Sequence, residues 1–565
     1  MNAPKLARAL LLLVVALAAL LRFDGLDRLL PNWPEPDSYI ELQVRLLREG
    51  REPDVAKEKG YFAYPTMIAR GLALLGEPRA DETKLDCALA ASSGDLLRAR
   101  RLSAALSLLL VVATFFIARR FASPLAALMA SALVALSLNH LYFSQQGRPH
   151  AAHASFAALA LLALLQMRRN ANWSSQLAAH VLVFLAIATL HNGAALIGPF
   201  VVAHALLGMR DGRFDKRVLL RGVIGIALFA GVTFVAYRVF YPAQPVIGGE
   251  TGFELGGHNT VWQDYDGSGF ALCAKLMWDY DPGLAVLAAI GLALALLGLA
   301  QWWRAAPFER RADLCVVLAY ALPYALFIGM FRETSDRFLL PLLPFLACLA
   351  GVAIDHAVGV VPRFARPLIL GAALVVPAFG ALRYVRVRSA RDTLEQAADF
   401  VAAHVDRAKE RVVVSTGLVL PLFSAKECLD RARDDYVSKQ RHWLRYQFAH
   451  ESQSGESWLV QPLPGKVGGA RDPALAKQGV EKFLTALDPE WIVVESSLRM
   501  RDVASTTLLR EWAATHGELA ATLRGEQDVW RFSMPLDYQD VPYLFLRLSN
   551  ATAFGPTIEI YRRTR

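Results

Sequence analysis

The chain has 565 residues, of which 55% are hydrophobic and 20% are charged, and its mean hydropathy is +0.32. A soluble protein of this length would divide into several domains with polar surfaces, whereas the apolar residues here recur in long runs that favour a lipid bilayer. The formal net charge of +9 does not indicate a nucleic-acid partner, because much of the basic excess lies between apolar runs and not on one soluble face.

Eleven apolar runs follow one another through the first two thirds of the chain, most of them near the roughly 20 residues that a spanning helix needs. They are residues 6–21, 102–117, 122–138, 151–167, 177–190, 193–209, 222–237, 283–303, 314–331, 338–354 and 367–382. His191-Asn192-Gly193 is a turn signal that divides one long apolar stretch into two helices. The pattern predicts a polytopic α-helical membrane domain over residues 1–388 with about eleven spanning helices.

The first run has two interpretations. Lys5 and Arg8 precede a short apolar stretch, which is also the pattern of a cleaved signal peptide. Ala16-Leu17-Ala18 is the only candidate cleavage site that we find near it, and it lies inside the apolar run. We therefore favour a retained helix, and the orientation of the remaining helices is the same in either case.

The loops between the runs carry an uneven share of basic residues. If the N-terminus is cytoplasmic, the inner loops hold fourteen of them: Arg119, Arg120, Arg168, Arg169, Arg210, Arg213, Lys216, Arg217, Arg221, Arg304, Arg310, Arg311, Arg363 and Arg366. The short outer loops hold three, Arg148, Arg332 and Arg337. Because cytoplasmic loops are enriched in Lys and Arg, this asymmetry predicts a cytoplasmic N-terminus. The Ala-, Leu- and Arg-rich composition suggests a bacterial inner membrane.

Three large segments then fall on the extracytoplasmic side: a first loop over residues 22–101, a second over 240–281 and a tail over 389–565. The tail has the pattern of an α/β domain. We expect a helix over 391–409, strands over 411–416, 491–495, 528–532 and 557–561, and a loop over 431–471. Cys87 and Cys273 fall in the two external loops, and the sequence leaves open whether a disulfide joins them.

The first external loop contains an early acidic segment, Pro34-Glu35-Pro36-Asp37-Ser38. Asp37 precedes a stretch with helical periodicity, so one interpretation is that its carboxylate only caps that helix. The other is a carboxylate held at the membrane surface, where it accepts a proton or orients a nucleophile. Tyr64 belongs to a later aromatic stretch, which suits the bilayer interface and is by itself more often a packing surface.

Two further candidate positions lie at the outer mouths of predicted helices. Arg148 and His150 follow the third run, and Arg332 and Arg337 precede the tenth. Such arginines either extend to lipid phosphates or grip the phosphate of a substrate with two hydrogen bonds. His150 and His153 have the spacing to share a helix face and ligate a divalent metal, but no carboxylate or cysteine partner supports this, so we assign no metal ligand and require no cofactor.

These motifs together resemble the GT-C glycosyltransferases, and most of all the branch of protein O-mannosyltransferases and aminoarabinose transferases. The family's early loop has a Pro-Asp-Glu setting, which Pro36-Asp37 matches while Ser38 replaces the glutamate. Tyr64-Pro65-Thr66 looks like a degenerate aromatic-Pro-Pro stretch, and Arg148-Pro149 matches an Arg-Pro signature. Residues 337–344, Arg-Phe-Leu-Leu-Pro-Leu-Leu-Pro, are close to a further signature, and residues 555–561 are similar to the end of bacterial members.

The resemblance implies an integral-membrane enzyme that moves a sugar from a polyprenyl-phosphate donor to an acceptor on the extracytoplasmic face. Asp37 would be the catalytic base, and Arg337 and then Arg148 would bind the donor phosphate. Further candidates for substrate contacts are Glu35, Tyr64, His150 and Arg332. The partners would be the donor, membrane lipid and an acceptor that is a lipid, a glycan or a protein. Ser38 in place of the family's second acidic residue leaves the role of that pair open.

Two other classes remain as alternatives. A transporter or flippase for a lipid-linked or anionic substrate often shows internal repeats and polar residues near mid-membrane, whereas we find no repeat and the candidate residues cluster at one surface. A membrane scaffold would not need the acidic residue and the arginines to converge.

Overall fold

The computed structural model describes the chain except residues 1–2, 29, 31–37, 52–63, 76–84, 208, 211–212, 241–251, 256–257, 417, 436–441, 451–455, 469–472, 496–502, 526–544, 546–547, 550 and 565. Two predicted site residues, Glu35 and Asp37, lie outside the described residues. The same holds for the strand expected over 528–532.

The first part of the molecule consists of helices joined by short connections. They are α1 (Ala3–Phe23), α2 (Ser38–Arg48), α3 (Tyr64–Leu75), α4 (Leu85–Ala118), α5 (Pro124–Leu136), α6 (Leu138–Ser144), α7 (Pro149–Asn170), α8 (Trp173–Thr189), α9 (Ile197–Leu207), α10 (Lys216–Phe240), α11 (Gly269–Tyr280), α12 (Pro282–Ala305), α13 (Phe308–Met330), α14 (Leu343–Val360) and α15 (Arg366–Ser389). Two short hairpins, β1 (Met209–Arg210) with β2 (Arg213–Phe214) and β3 (Gly252–Leu255) with β4 (His258–Val261), interrupt the helices. The 3₁₀ helix Asp336–Leu342 leads into α14.

Every one of the eleven predicted apolar runs overlaps a helix. Within the described part of the chain, eight helices are long and apolar enough to cross a membrane, and the pair α5 and α6, bent by 55°, is a ninth candidate. Helices α8 and α9 are apolar but shorter. The chain is therefore a multi-pass membrane protein, while the number of eleven spans stays a prediction.

The helices pack closely where small residues meet. A Cβ on Gly291 of α12 would lie 1.8 Å from the carbonyl oxygen of Leu349 on α14, and one on Gly351 of α14 would lie 2.6 Å from that of Ala126 on α5. Leucines on outward faces are exposed, for example Leu297 at 84%. Small residues facing the bundle and leucines facing outward are the pattern that lipid-embedded helices require.

The tail forms a mixed five-stranded sheet with the order β6-β5-β7-β9-β8. Its strands are β5 (Val412–Val414), β6 (Val460–Pro462), β7 (Trp491–Glu495), β8 (Gly517–Leu523) and β9 (Ile558–Arg563), and its helices are α16 (Thr393–His404), α17 (Lys426–Ala432), α18 (His442–His450), α19 (Gly465–Gly468), α20 (Pro473–Leu487) and α21 (Val503–His516). Strands β6, β5 and β7 are parallel, and β9 is antiparallel to both of its neighbours.

The sequence interpretation of the tail is right for three of the five strands, misses β6 and β8, and is partly wrong for its loop. Strands β5, β7 and β9 and helix α16 lie where we expect them. The expected loop over 431–471 instead contains α18, α19 and strand β6. Strand β6 has only three residues, all buried, so it is too short for alternating hydrophobicity to reveal it.

The tail contacts the first external loop directly. The beginning of α4, at Leu85 and Leu89, shares a hydrophobic cluster with Trp443 and Leu444 of α18. Hydrogen bonds join the segment after α1 to the end of α15: the Ser389 hydroxyl donates to Asp24 Oδ2 over 2.7 Å, and the Arg28 and Arg388 guanidinium groups donate to the carbonyls of Ser389 and Gly25. Cys273 has a free thiol, and the side chain of Cys87 lies outside the described part of the structure.

Candidate functional site

The break between α5 and α6 is stabilised by a buried carboxylate from a distant part of the chain. Asp281, just before α12, accepts hydrogen bonds from the Ser137 hydroxyl (2.6 Å) and the Leu138 amide (2.7 Å). The Asn139 amide is 3.4 Å from the same carboxylate. Asp281 thereby satisfies donors at the N-terminus of α6 that have no partner within the helix. Asp281 is not among the candidates selected from the sequence, although an acidic residue directly before Pro282 and an apolar run is a detectable signal.

Arg337 lies in the 3₁₀ helix Asp336–Leu342, whose first residue is tied to α6. The buried Asp336 carboxylate accepts from the Tyr280 hydroxyl (2.6 Å), while the Asn139 side-chain amide donates to the Asp336 carbonyl (3.1 Å). The Arg337 amide donates to Asp336 Oδ1 over 2.9 Å. These bonds fix the backbone that carries Arg337 relative to α6.

Arg148 lies at the start of α7, in the turn that follows α6. Its backbone is extended (φ −87°, ψ 159°), which is the conformation that the following Pro149 imposes. His150 lies in the first turn of α7, is only 4% exposed and contacts the Phe143 ring edge-on at 5.8 Å. The charges of both Arg148 and Arg337 act on the His150 ring. The structure therefore brings together Arg148, Arg337 and His150, which the sequence selected separately.

The two arginines belong to elements that are far apart in the sequence, and the charge of each acts on the buried His150 ring. Arginine donates in a planar fork that suits phosphate, and such bonds are stronger where water is excluded. We name the set of Arg148, His150 and Arg337 the arginine–histidine cluster.

Arg332 and Tyr64 have different surroundings. Arg332 is exposed, its Nε is 3.5 Å from Asp264 Oδ1, and its amide donates to the Asp264 carbonyl. Tyr64 is the first residue of α3. The described residues thus supply a carboxylate partner for Arg332 near the second external loop, and the sequence-based role of Arg332 in substrate contact stays a prediction.

Two buried residues that are not among the site residues selected from the sequence connect α1 to this region. The Arg22 side chain, 0% exposed, donates to the carbonyls of Val134 (3.3 Å) and Ala135 (3.0 Å) at the end of α5 and to His140 Nδ1 (2.9 Å). Because arginine only donates, His140 Nδ1 must be the acceptor. The Gln145 side-chain amide donates back to carbonyls at the end of α1. Arg22 belongs to no short motif. Gln145 lies in residues 144–150, the candidate segment after the third run that also contains Arg148 and His150, but no local signal reveals its partners on α1.

The described residues do not contain a group of three or more His, Cys, Asp or Glu side chains that could hold a metal ion. His153, the possible metal partner of His150, instead has its Nδ1 3.2 Å from the Ala186 carbonyl. The residues of the cluster are two cations and an imidazole, a set that suits an anion better than a divalent metal.

No family model matches the chain, and no curated protein matches it. Solved structures do. The oligosaccharyltransferase AglB from Archaeoglobus fulgidus, in complex with an inhibitory peptide and a dolichol-phosphate, is 12% identical over 96% of this chain and 75% of that chain, with a TM-score of 0.45. ArnT from Cupriavidus metallidurans is 16% identical in the apo state over 91% of this chain and 96% of that chain (TM-score 0.42). Its complex with undecaprenyl phosphate covers 90% and 96%, also at 16% identity (TM-score 0.41).

Because the TM-scores of these matches lie below 0.5 and their identities below 25%, the activities and ligands of those proteins are not carried over to this chain. Any function assigned to the chain therefore depends on its own residues.

Proposed function

We propose that the protein is a glycosyltransferase that moves a sugar from a polyprenyl-phosphate donor to an acceptor on the extracytoplasmic face of the membrane. The observation that carries the proposal is that the charges of Arg148 and Arg337, which belong to different elements, both act on the buried His150 ring. A soluble nucleotide-sugar pool does not exist outside the cell, so an activated sugar must arrive there on a lipid. Two arginines near one buried ring in a multi-pass membrane protein suit the phosphate of such a lipid.

In this mechanism the acceptor O–H or N–H attacks the anomeric carbon of the donor. The new bond forms as the bond between that carbon and the phosphate oxygen breaks, and the electron pair leaves with the polyprenyl phosphate. Arg337 and Arg148 stabilise the negative charge that develops on this phosphate. Asp37 accepts the proton of the acceptor, which is worth about 10²–10⁴ in rate for a general base. A single displacement of this kind inverts the configuration of the sugar carbon.

The donor phosphate gives the first test. Arg337→Ala is expected to raise the KM for the lipid donor at least about tenfold, because it removes one charged grip on the leaving group. The sugar and the acceptor that this assay requires can first be identified by mass spectrometry of surface glycans and glycolipids from cells with and without the gene. The matched control is Arg386→Ala, which removes an exposed arginine near the end of α15 and should leave the donor KM unchanged. Equal donor kinetics in Arg337→Ala and the wild type would refute the phosphate role.

The acceptor base gives a second, independent test. Asp37→Asn keeps the size of the side chain and removes its basicity, so we expect kcat to fall about 10²-fold or more while undecaprenyl phosphate binds as in the wild type. Near-normal turnover by a folded Asp37→Asn protein would remove Asp37 from the chemistry without affecting the role of the arginines.

One observation favours a transporter, namely the 55° bend between α5 and α6, since broken helices are common in transporters. The bend is, however, fixed from two sides by Asp281 and Arg22, which is unlike a moving gate. Transfer of a fluorescent polyprenyl phosphate between leaflets of proteoliposomes, without loss of its sugar, would support transport over transfer chemistry.

A further inference from the structure

Gln145 caps the end of a helix to which it does not belong. It is the C-cap residue of α6 and is 1% exposed. Its Nε2 is 3.2 Å from the carbonyl oxygen of Leu21, 3.3 Å from that of Arg22 and 3.1 Å from that of Asp24. Carbonyls at a helix C-terminus have no partner in their own helix, so this side chain supplies donors that the end of α1 needs.

The end of α1 in turn donates hydrogen bonds to α5 and α6. Arg22 donates to the last carbonyls of α5 and to His140, one turn before Gln145 on α6. The guanidinium group lies where the C-terminal dipole of α5 is negative, and this compensates part of the cost of burying its charge. Arg22 and Gln145 thus hold the same two elements together from both sides, and we name this pair the α1–α6 lock.

The lock lies directly before the residue proposed to grip the phosphate. Only Gln146 and Gly147 separate Gln145 from Arg148, the Gln146 amide is 3.4 Å from the Phe143 carbonyl, and Pro149 holds Arg148 extended. With both ends of so short a turn fixed, the direction in which Arg148 leaves the backbone is determined by the lock. The same lock fixes the end of α1, from which the first external loop begins.

We propose that Gln145, with Arg22, is a positioning residue that aims Arg148 at the donor phosphate. This inference rests on the proposed phosphate role of Arg148. It adds the residues that fix the position of the Arg148 side chain. Displacing a group by about 1 Å within a preorganised site can lower a reaction rate by as much as about 10²-fold. We therefore expect an effect on lipid-phosphate binding although Gln145 itself is not proposed to contact the lipid.

The test measures binding of undecaprenyl phosphate to the purified full-length protein in lipid nanodiscs. Gln145→Met keeps the length of the side chain and removes its donors, and we expect it to raise the Kd about tenfold. Arg22→Lys is the second variant; it keeps the charge but cannot reach all the acceptors of the guanidinium group, so a smaller rise is expected. The matched control is Ser131→Ala, which removes a buried hydrogen bond from α5 to the Val111 carbonyl and should leave the Kd within about twofold.

A double-mutant cycle separates positioning from general loosening of the fold. If Gln145 acts through Arg148, Gln145→Met should not weaken binding further in an Arg148→Met background. An equal loss in both backgrounds, or an unchanged Kd in folded Gln145→Met and Arg22→Lys proteins, would overturn the inference while leaving the proposed function intact. If Arg148→Met itself does not change the Kd, the phosphate role of Arg148 fails, and the positioning role fails with it.

Discussion

The carboxylate of Asp281 caps a helix, and its burial also shifts its pKa. It caps α6 through the Ser137 hydroxyl and the Leu138 amide. Burial raises the pKa of Asp281 to about 6, although the hydrogen bonds that it accepts act in the opposite direction. A carboxyl group in an unfolded chain has a pKa of about 3.9. The folded protein therefore holds this proton more tightly than the unfolded chain.

This difference predicts a pH-dependent stability. Between about pH 4 and pH 6 the folded state binds more protons at Asp281 than the unfolded chain does. The stability that the folded protein gains from this proton is therefore fully present below pH 4 and is lost as the pH rises through 6. The full difference is on the order of 3 kcal/mol. In Asp281→Asn this titration is removed, and we expect the midpoint of thermal unfolding in detergent to vary less between pH 5 and 7 than in the wild type.

The control for this prediction is a carboxylate with the opposite surroundings. Asp266 is exposed, and hydrogen bonds from Ser268 lower its pKa. Asp266→Asn should therefore keep the wild-type slope between pH 5 and 7. A slope in Asp281→Asn as steep as that of the wild type would contradict the assignment.

Residues with local signatures could be found from the sequence, and those with distant partners could not. Arg148 and Arg337 each lie in a short motif, which is why they could be selected without a structure. Ser137 and Asp281 are 144 residues apart, and Arg22 and His140 are 118 residues apart. Pairing at such separations depends on how the helices pack, about which the periodicity of one segment contains no information.

At the scale of elements, hydropathy was sufficient to find the helices but not their ends or bends. The run over 122–138 predicts one straight span, whereas α5 ends at Leu136 and α6 begins two residues later at a 55° bend. Strand β8 was missed because its residues are mostly exposed and two of the seven are alanines, which favour helices. An edge strand that buries little has a weak period-two signal.

Close packing of α12 on α14 gives an element-scale prediction. Gly291→Val would place its Cβ 1.8 Å from the Leu349 carbonyl oxygen, so the helices must separate, and we expect a loss of stability of at least about 2 kcal/mol. The matched control is Gly298→Val on the same helix, where a Cβ meets no atom within 4 Å. Thermal unfolding in detergent checks both variants, and an equal midpoint for the two would show that the close approach is not required.

At the scale of the whole molecule, the tail and the first external loop form one contact region. The hydrophobic cluster of α4 with α18 and the hydrogen bonds between residues 24–28 and the end of α15 join them. Both must then lie on the same side of the membrane. The distribution of basic residues predicts that this side is extracytoplasmic.

Cysteine labelling tests this topology. In a chain whose five native cysteines are replaced by serine, Lys409→Cys puts a thiol at an 82% exposed side chain in the tail. A membrane-impermeant maleimide should label it in right-side-out vesicles. Arg310→Cys, in the first turn of α13, should react only after the vesicles are opened. The reverse pattern would place the tail in the cytosol and refute the proposed site of transfer.

The capping of α6 by Asp281 also determines the order in which the protein is completed during synthesis. At 5–20 residues per second, the ribosome needs on the order of ten seconds to travel from the start of α6 to Asp281. During that interval α6 has entered the translocon without the carboxylate that completes its first turn. The first turn of α6, which precedes the segment bearing Arg148, therefore acquires this cap only after the chain has been synthesised as far as the start of α12.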